Sequence, residues 1–228
     1  LTPRIKPMAP PPSLYLTRAD HEALADAAKA ARTDQFAAAL AAAKRIQDPL
    51  ARDVAMWMYF DAGDPKVDIN AAVAFLNTHE DWPSQSSIQS KVESRLKDAT
   101  PTATVRAFFE TRDPVTGVGK LHLARAMMAA GETEAAKAHI KDAWINHDWL
   151  STNAAKIKAN YGHFLTADDH ASRVDQLIWR RRLTEARRML PMLRAEDRVL
   201  AQTRINVQLG VKGALTAFNN LREDQQLD

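Results

Sequence analysis

The sequence predicts an all-α protein, arranged as a superhelical stack of antiparallel helix hairpins of tetratricopeptide-like texture. Three observations carry that expectation. Only 7 of 228 residues are Gly, while Ala, which loses no side-chain rotamer freedom on ordering, recurs throughout. Apolar residues return at helical spacing from Thr17 onward, and no segment shows convincing two-residue alternation. The breaks between these stretches carry helix-ending and helix-starting chemistry: Asp-Pro, Gly-Asp-Pro, Trp-Pro and isolated glycines.

Residues 1–16 hold five of the 11 prolines, including Pro10-Pro11-Pro12. Proline fixes φ and holds its predecessor extended, so this stretch reads as a polyproline-like arm. Residues 17–228 read as one α-superhelical domain. Thr17 is placed to cap a first helix reaching about Ala31, and Thr33 or Asp34 a second bearing Phe36, Leu40 and Ala43. Asp48-Pro49 is an N-cap followed by proline at the first helical position. Behind it Leu50, Val54, Trp57 and Met58 are spaced as one buried face.

Gly63-Asp64-Pro65 ends that helix, and Asp68 opens one bearing Ala71, Phe75 and Leu76. Trp82-Pro83 is a turn, from which Ser84 leads into a helix with Ile88, Val92 and Leu96. A short helix is expected from Thr102 to Arg112, where Asp113-Pro114 breaks it. Thr116 opens the next, with Leu121, Ala124 and Met128 inward and Gly131 closing it; Thr133 caps another through Trp144. Ser151 to Tyr161, Asp168 to Arg181, Thr184 to Arg194, Glu196 to Gln208 and Lys212 to Leu221 complete about thirteen helices. The last carries an apolar stripe, Leu215, Phe218 and Leu221, that needs a cover.

An internal echo supports a repeat architecture. His79-Glu80-Asp81-Trp82-Pro83-Ser84 returns as Asn146-His147-Asp148-Trp149-Leu150-Ser151, an interval of about two ~34-residue helix-turn-helix units. Small Ala124, Ala126, Ala135 and Ala143 around Gly131 would let two antiparallel helices approach closely. Stacked hairpins of this kind give a curved superhelix whose inner face holds an extended ligand.

Composition sets further bounds. Without cysteine there is neither disulfide nor thiolate metal site, and the redox compartment stays open. No apolar run approaches the ~18 residues of a membrane span. The chain begins at Leu1, which reads as a processed chain or a fragment with no visible signal peptide. The net charge is only +3, but its distribution is uneven. Nine arginines (173, 180, 181, 182, 187, 188, 194, 198 and 204) face Asp175, Glu185, Glu196 and Asp197, giving that segment about +5.

Several fragments imitate catalytic motifs and fail. Gly117-Val118-Gly119-Lys120 resembles the end of a phosphate-binding loop, but Pro114 and Leu121 stand where that loop needs Gly and a hydroxyl. It reads as a helix N-terminus. His21-Glu22-x-x-Ala25 lacks the second histidine of a zinc-protease helix. Asp168-Asp169-His170 follow Thr166 as first-turn acids favoured by the helix dipole. The seven histidines are scattered, with no pair at clear ligand spacing beyond His139 and His147, and no Ser/His/Asp arrangement is visible. No cofactor and no metal site are expected.

Arg180, Arg181, Arg182, Arg187 and Arg188 form a candidate surface for an anionic ligand, against the plainer reading of a solvated face. Only Trp179 interleaves with them, which argues against a stacking platform for nucleic acid. The tryptophans at 57, 82, 144, 149 and 179 are read as inter-helix packing rather than sugar platforms.

Four stretches resemble the N-terminal superhelical domain of soluble lytic murein transglycosylases, in the Ala- and Arg-rich style of alphaproteobacteria. They are the Ala/Trp-bearing helix Leu50 to Phe60; Phe75-Leu76-x5-Trp82-Pro83-x4-Ile88-x3-Val92-Glu93-x2-Leu96; Phe108-Phe109 and Pro114 through Gly119, Leu123-Ala124, Gly131 and Ala135 to Trp144; and Leu165 to Pro191, with Thr166, Asp168-Asp169-His170, Arg173, Trp179, Arg182, Glu185 and Arg188. Together they span roughly residues 48 to 208.

The resemblance implies a ring-like or U-shaped platform in the periplasm, working with a separate lysozyme-like domain. In that family one glutamate of a Glu-Ser pair, followed by a Gly-Leu-Met-Gln-like segment, cleaves the glycan without water, so one carboxyl suffices where ordinary glycosidases use two. The only Glu-Ser pair here, Glu93-Ser94, has no such segment behind it and falls in the second superhelix stretch. No catalytic residue carries over. The chain alone is expected to be inactive, with peptidoglycan strands, a catalytic domain outside this chain or a protein segment as partners. A helical-repeat adaptor for a protein partner is the rival reading, and a basic nucleic-acid binder a weaker one.

Overall fold

A computed structural model describes residues 15–221, so the proline-rich stretch through Leu14 lies outside the described residues. Thirteen α-helices and two 3-10 turns make up the described chain, which contains no strand. None of these helices is long and apolar enough to cross a membrane. The chain divides into two compact units, Leu1–Arg95 and Leu96–Asp228.

The first unit contains α1 (Arg18–Arg32), α2 (Phe36–Arg45), α3 (Pro49–Ala62), α4 (Ile69–Thr78) and α5 (Gln85–Glu93). Its α1–α3 core consists almost wholly of alanine: Ala23, Ala27, Ala42, Ala43, Ala51 and Ala55 close around Ile46. Side chains that small bring helix backbones together at interior packing density. Thr17 caps α1 by accepting from Asp20 N at 3.1 Å, as its position predicts. The carboxylate of buried Asp20 accepts from Gln47 N at 2.6 Å and so pins the α2–α3 connection. That bond is the chief reason its pKa lies below the ordinary carboxylate value.

The expected inward face of α3 is corrected. Leu50 is 65% exposed, and Val54, Trp57 and Met58 are only half-buried. The buried line is Ala51, Ala55 and Tyr59, with Phe60 beside it, because an alanine-faced pair of helices admits alanines and leaves bulkier neighbours on the flank. Trp57 instead donates from Nε1 to the Pro83 carbonyl at 2.9 Å. Tyr59, Phe60, Phe75, His79 and Trp82 form a chain of ring contacts along α3, α4 and the turn after it.

The second unit contains α6 (Thr102–Phe108), α7 (Gly117–Ala129), α8 (Thr133–Asn146), α9 (Ser151–Tyr161), α10 (Ala167–Trp179), α11 (Leu183–Met189), α12 (Ala195–Gln208) and α13 (Ala214–Asn219). Helix α8 packs on α7 and α10, and α10 in turn on α11 and α12. Trp144, Val174, Ile178, Ala186 and Ile205 sit at the centre of that stack. Several expected boundaries move. Helix α6 stops at Phe108 rather than Arg112, and Glu132, not Thr133, is the N-cap of α8. Pro191 lacks an N–H and turns the end of the expected Thr184–Arg194 helix into a 3-10 turn, Leu190–Met192. The terminal helix shrinks to six residues, with Leu215 68% exposed.

Candidate functional site

The hairpins share one turn. After α1, α7, α10 and α12 the second residue beyond the helix has positive φ: Asp34 (55°), Gly131 (82°), Arg181 (59°) and Gly210 (65°). In each case its N–H and that of the next residue return to the last turn of the helix. After α10, Arg181 N donates to the Ile178 carbonyl at 3.0 Å and Arg182 N to the Leu177 carbonyl at 2.7 Å. The pairs Asp34/Gln35, Gly131/Glu132 and Gly210/Val211 repeat this pattern, which is the Schellman closure. Gly131 announces it in the sequence; Asp34 and Arg181 do not. Thr33 and Asp34 therefore close α1 instead of opening α2, whose N-cap is Gln35.

An arginine at positive φ lacks the short polar side chain that eases Asn or Asp into this region, and the conformation costs about 1–2 kcal/mol. Arg181 occupies it in the midst of the arginine cluster. Beside it Trp179, the last residue of α10, is 80% exposed. This corrects the expectation that all five tryptophans pack between helices. Trp144 does so, at 1% exposure, donating from Nε1 to His170 Nδ1 at 3.2 Å. Trp57, Trp82 and Trp149 are half-buried.

The structure splits the five arginines into two groups. Arg180 and Arg182 converge on Asp148, at 3.5 and 3.4 Å. Arg182 also pairs with Glu185 at 2.7 Å, which holds that carboxyl below its ordinary pKa, and Arg180 donates to the Asn146 carbonyl at 2.9 Å. These two therefore tie the α10–α11 turn to the α8–α9 connection. Arg181, Arg187 and Arg188 are exposed and have no ion pair among the described residues. Asp148, invisible as a site residue in the sequence, organises the patch.

Both tryptophans of the echo lie in the connection between two helices, and the connection holding Trp82 is the longer one. His79 and His147 are the C-caps of α4 and α8, and Ser84 and Leu150 the N-caps of α5 and α9. Trp82 turns back onto Phe75 of α4, and Trp149 donates from Nε1 to the Ala143 carbonyl of α8 at 2.8 Å. Trp149 also explains Gly117. A Cβ there would come within 2.5 Å of the indole, so the glycine makes room for a ring and begins α7, with Thr116 accepting from Gly119 N at 2.9 Å.

The remaining candidates resolve into structural roles. Thr166 and Asp169 form a reciprocal capping box, and Asp168 is the other first-turn acid of α10. Glu93 is fully buried and accepts from Gln89 at 2.8 Å, closed to any substrate. His21 lies half-buried in the first turn of α1. Lys120 and Asp142 pair with one another and bear electrostatically on both His139 and His147. Among the described residues no three His, Asp or Glu side chains converge as a metal requires.

No protein-family model, curated protein or solved structure matches this chain.

Proposed function

We propose that the chain is a non-catalytic glycan-holding module, the superhelical domain of a periplasmic peptidoglycan lytic transglycosylase, which positions strands for a catalytic domain outside this sequence. The observation that carries this reading is the exposed Trp179 at the α10–α11 turn, two residues from exposed Arg181, which has no ion pair among the described residues. An indole face offers a flat apolar surface for the C–H face of a sugar ring, and guanidinium forks suit the carboxylates that decorate such strands. Arg181 remaining at positive φ where glycine would relax the turn is strain of the sort that collects at binding sites. The same closure after α1, α7, α10 and α12 supports a repeat architecture.

The test is co-sedimentation with purified peptidoglycan sacculi, using Trp179→Ala and the pair Arg181→Glu with Arg187→Glu. Each lost charge-assisted contact is expected to weaken binding about tenfold at physiological salt. Undiminished binding by both variants overturns the proposed surface, and release of anhydromuropeptides by the chain alone overturns its non-catalytic character. A second reading, an adaptor for a protein segment, is favoured by the exposed apolar residues Leu209, Val211 and Leu215 near the end of the described chain. Its signature is sacculus binding that is absent from the start.

A further inference from the structure

Arg173 is 3% exposed, the most deeply buried arginine of the described chain. Its Nη1 donates to the Trp144 carbonyl and, at 3.0 Å, to the His147 carbonyl, and its guanidinium lies 4.4 Å from the centre of the Trp144 ring. Its buried Nε finds no acceptor among the described residues, and no carboxylate there pairs with it. Burial pulls it down to a pKa of about 10, with Asp148 opposing at a distance, so the group is still cationic at neutral pH. A buried charge without a counter-ion is costly, and two carbonyls and a ring face supply only partial negative charge.

This cation borders a cavity of about 170 Å³, close to the ~150 Å³ that accepts a benzene-sized guest. Trp144, Trp149, Leu177 and Met189 give it an apolar wall, and Ala154 and Ala155 of α9 line another part of it. Arg188 and Lys158 join Arg173 at its edge. The single carboxylate there, Glu185, is already held by Arg182. Three cations thus face one occupied anion around an apolar space.

We infer that this cavity is a binding site for a small organic carboxylate with an apolar body, its acid group held by Arg173 and Arg188 and its body against Trp144 and Trp149. The inference goes beyond the glycan-holding surface and does not depend on Trp179. Lys158 stands at the rim, where it steers the acid inward. The acid is either a free small molecule or the C-terminal carboxylate of a peptide, since both present the same group.

The test is a titration of the full chain with benzoate, with acetyl-alanyl-alanine and with neutral benzamide, followed through the five indole N–H resonances. Saturable movement of the Trp144 and Trp149 signals with either acid, at a Kd of about 1 mM or tighter, supports the site. The tighter acid then identifies the occupant. Benzamide is expected to bind at least about tenfold more weakly, because it lacks the charge that the guanidinium groups require. Arg173→Gln should abolish the shifts. Should that variant lose its fold, the exposed Arg188→Gln decides, with an expected loss of about tenfold. Trp179→Ala should leave benzoate binding unchanged while weakening sacculus binding, so the two sites fail separately. Equal response to acid and amide, or no movement of Trp144 and Trp149 with either acid, overturns the inference.

Discussion

At the scale of single residues, the arginine cluster separates by what each guanidinium touches. Arg180 and Arg182 serve the fold through Asp148 and Glu185, Arg173 is buried against the cavity, and Arg181 closes α10 at a positive φ. Three other hairpin turns place Gly, Gly or Asp at its position. Arg181→Gly is therefore expected to raise stability by about 1 kcal/mol by relieving the positive-φ penalty, while weakening sacculus binding. Chemical denaturation followed by circular dichroism reads the first effect. An unchanged or lowered midpoint would remove strain as an argument for function at this turn.

At the scale of elements, α9 differs from its neighbours. Ile157 is its only buried residue, whereas α8 buries Ala136, Ile140, Ala143 and Trp144 and α10 buries Asp169, Arg173, Val174, Leu177 and Ile178. Cavities lie on two sides of it. One of about 190 Å³ is lined by Asn153, Lys156 and Asn160, and the 170 Å³ cavity beside Arg173 by Ala154, Ala155 and Lys158. An element with so little buried surface opens locally at low free energy. Amide hydrogen exchange across α9 is expected to be markedly faster than across α8 and α10, with slowing at α9 when benzoate occupies the cavity. Equal protection of the three helices would contradict this account of the element.

At the scale of the molecule, titratable groups predict how stability follows pH. His122, His139, His147 and His170 all lie in the second unit, and burial pushes each below the ordinary histidine value of 6.5. As pH falls through that value the unfolded chain takes up protons that the folded chain still refuses, so stability present above it is lost on acidification. Asp142, Asp169 and Glu185 also have lowered pKa values, but their contribution fades only in the carboxylate range. Between about pH 7.5 and about pH 5.5 the melting temperature should therefore fall, and the histidines account for the change. A melting temperature that holds or rises over this interval would show that the four rings are not kept neutral in the folded state.

The sequence by itself determined the helices and many of their ends. Caps such as Thr17, Asp48-Pro49, Asp68, Thr116 and Thr166 are local chemistry, in which a side-chain oxygen reaches an N–H two or three residues away. Gly131 likewise marked the end of α7. What stayed hidden depends on partners distant along the chain. The face that α3 buries follows from the alanines of α1 and α2, not from its own largest residues. The exposure of Trp179 and the burial of Arg173, on one helix and six positions apart, were equally illegible, since either spacing suits an inward or an outward face. Only packing against α8, α11 and α12 decided which of them meets solvent and which meets the cavity, because burial is a property of neighbours brought together by the fold.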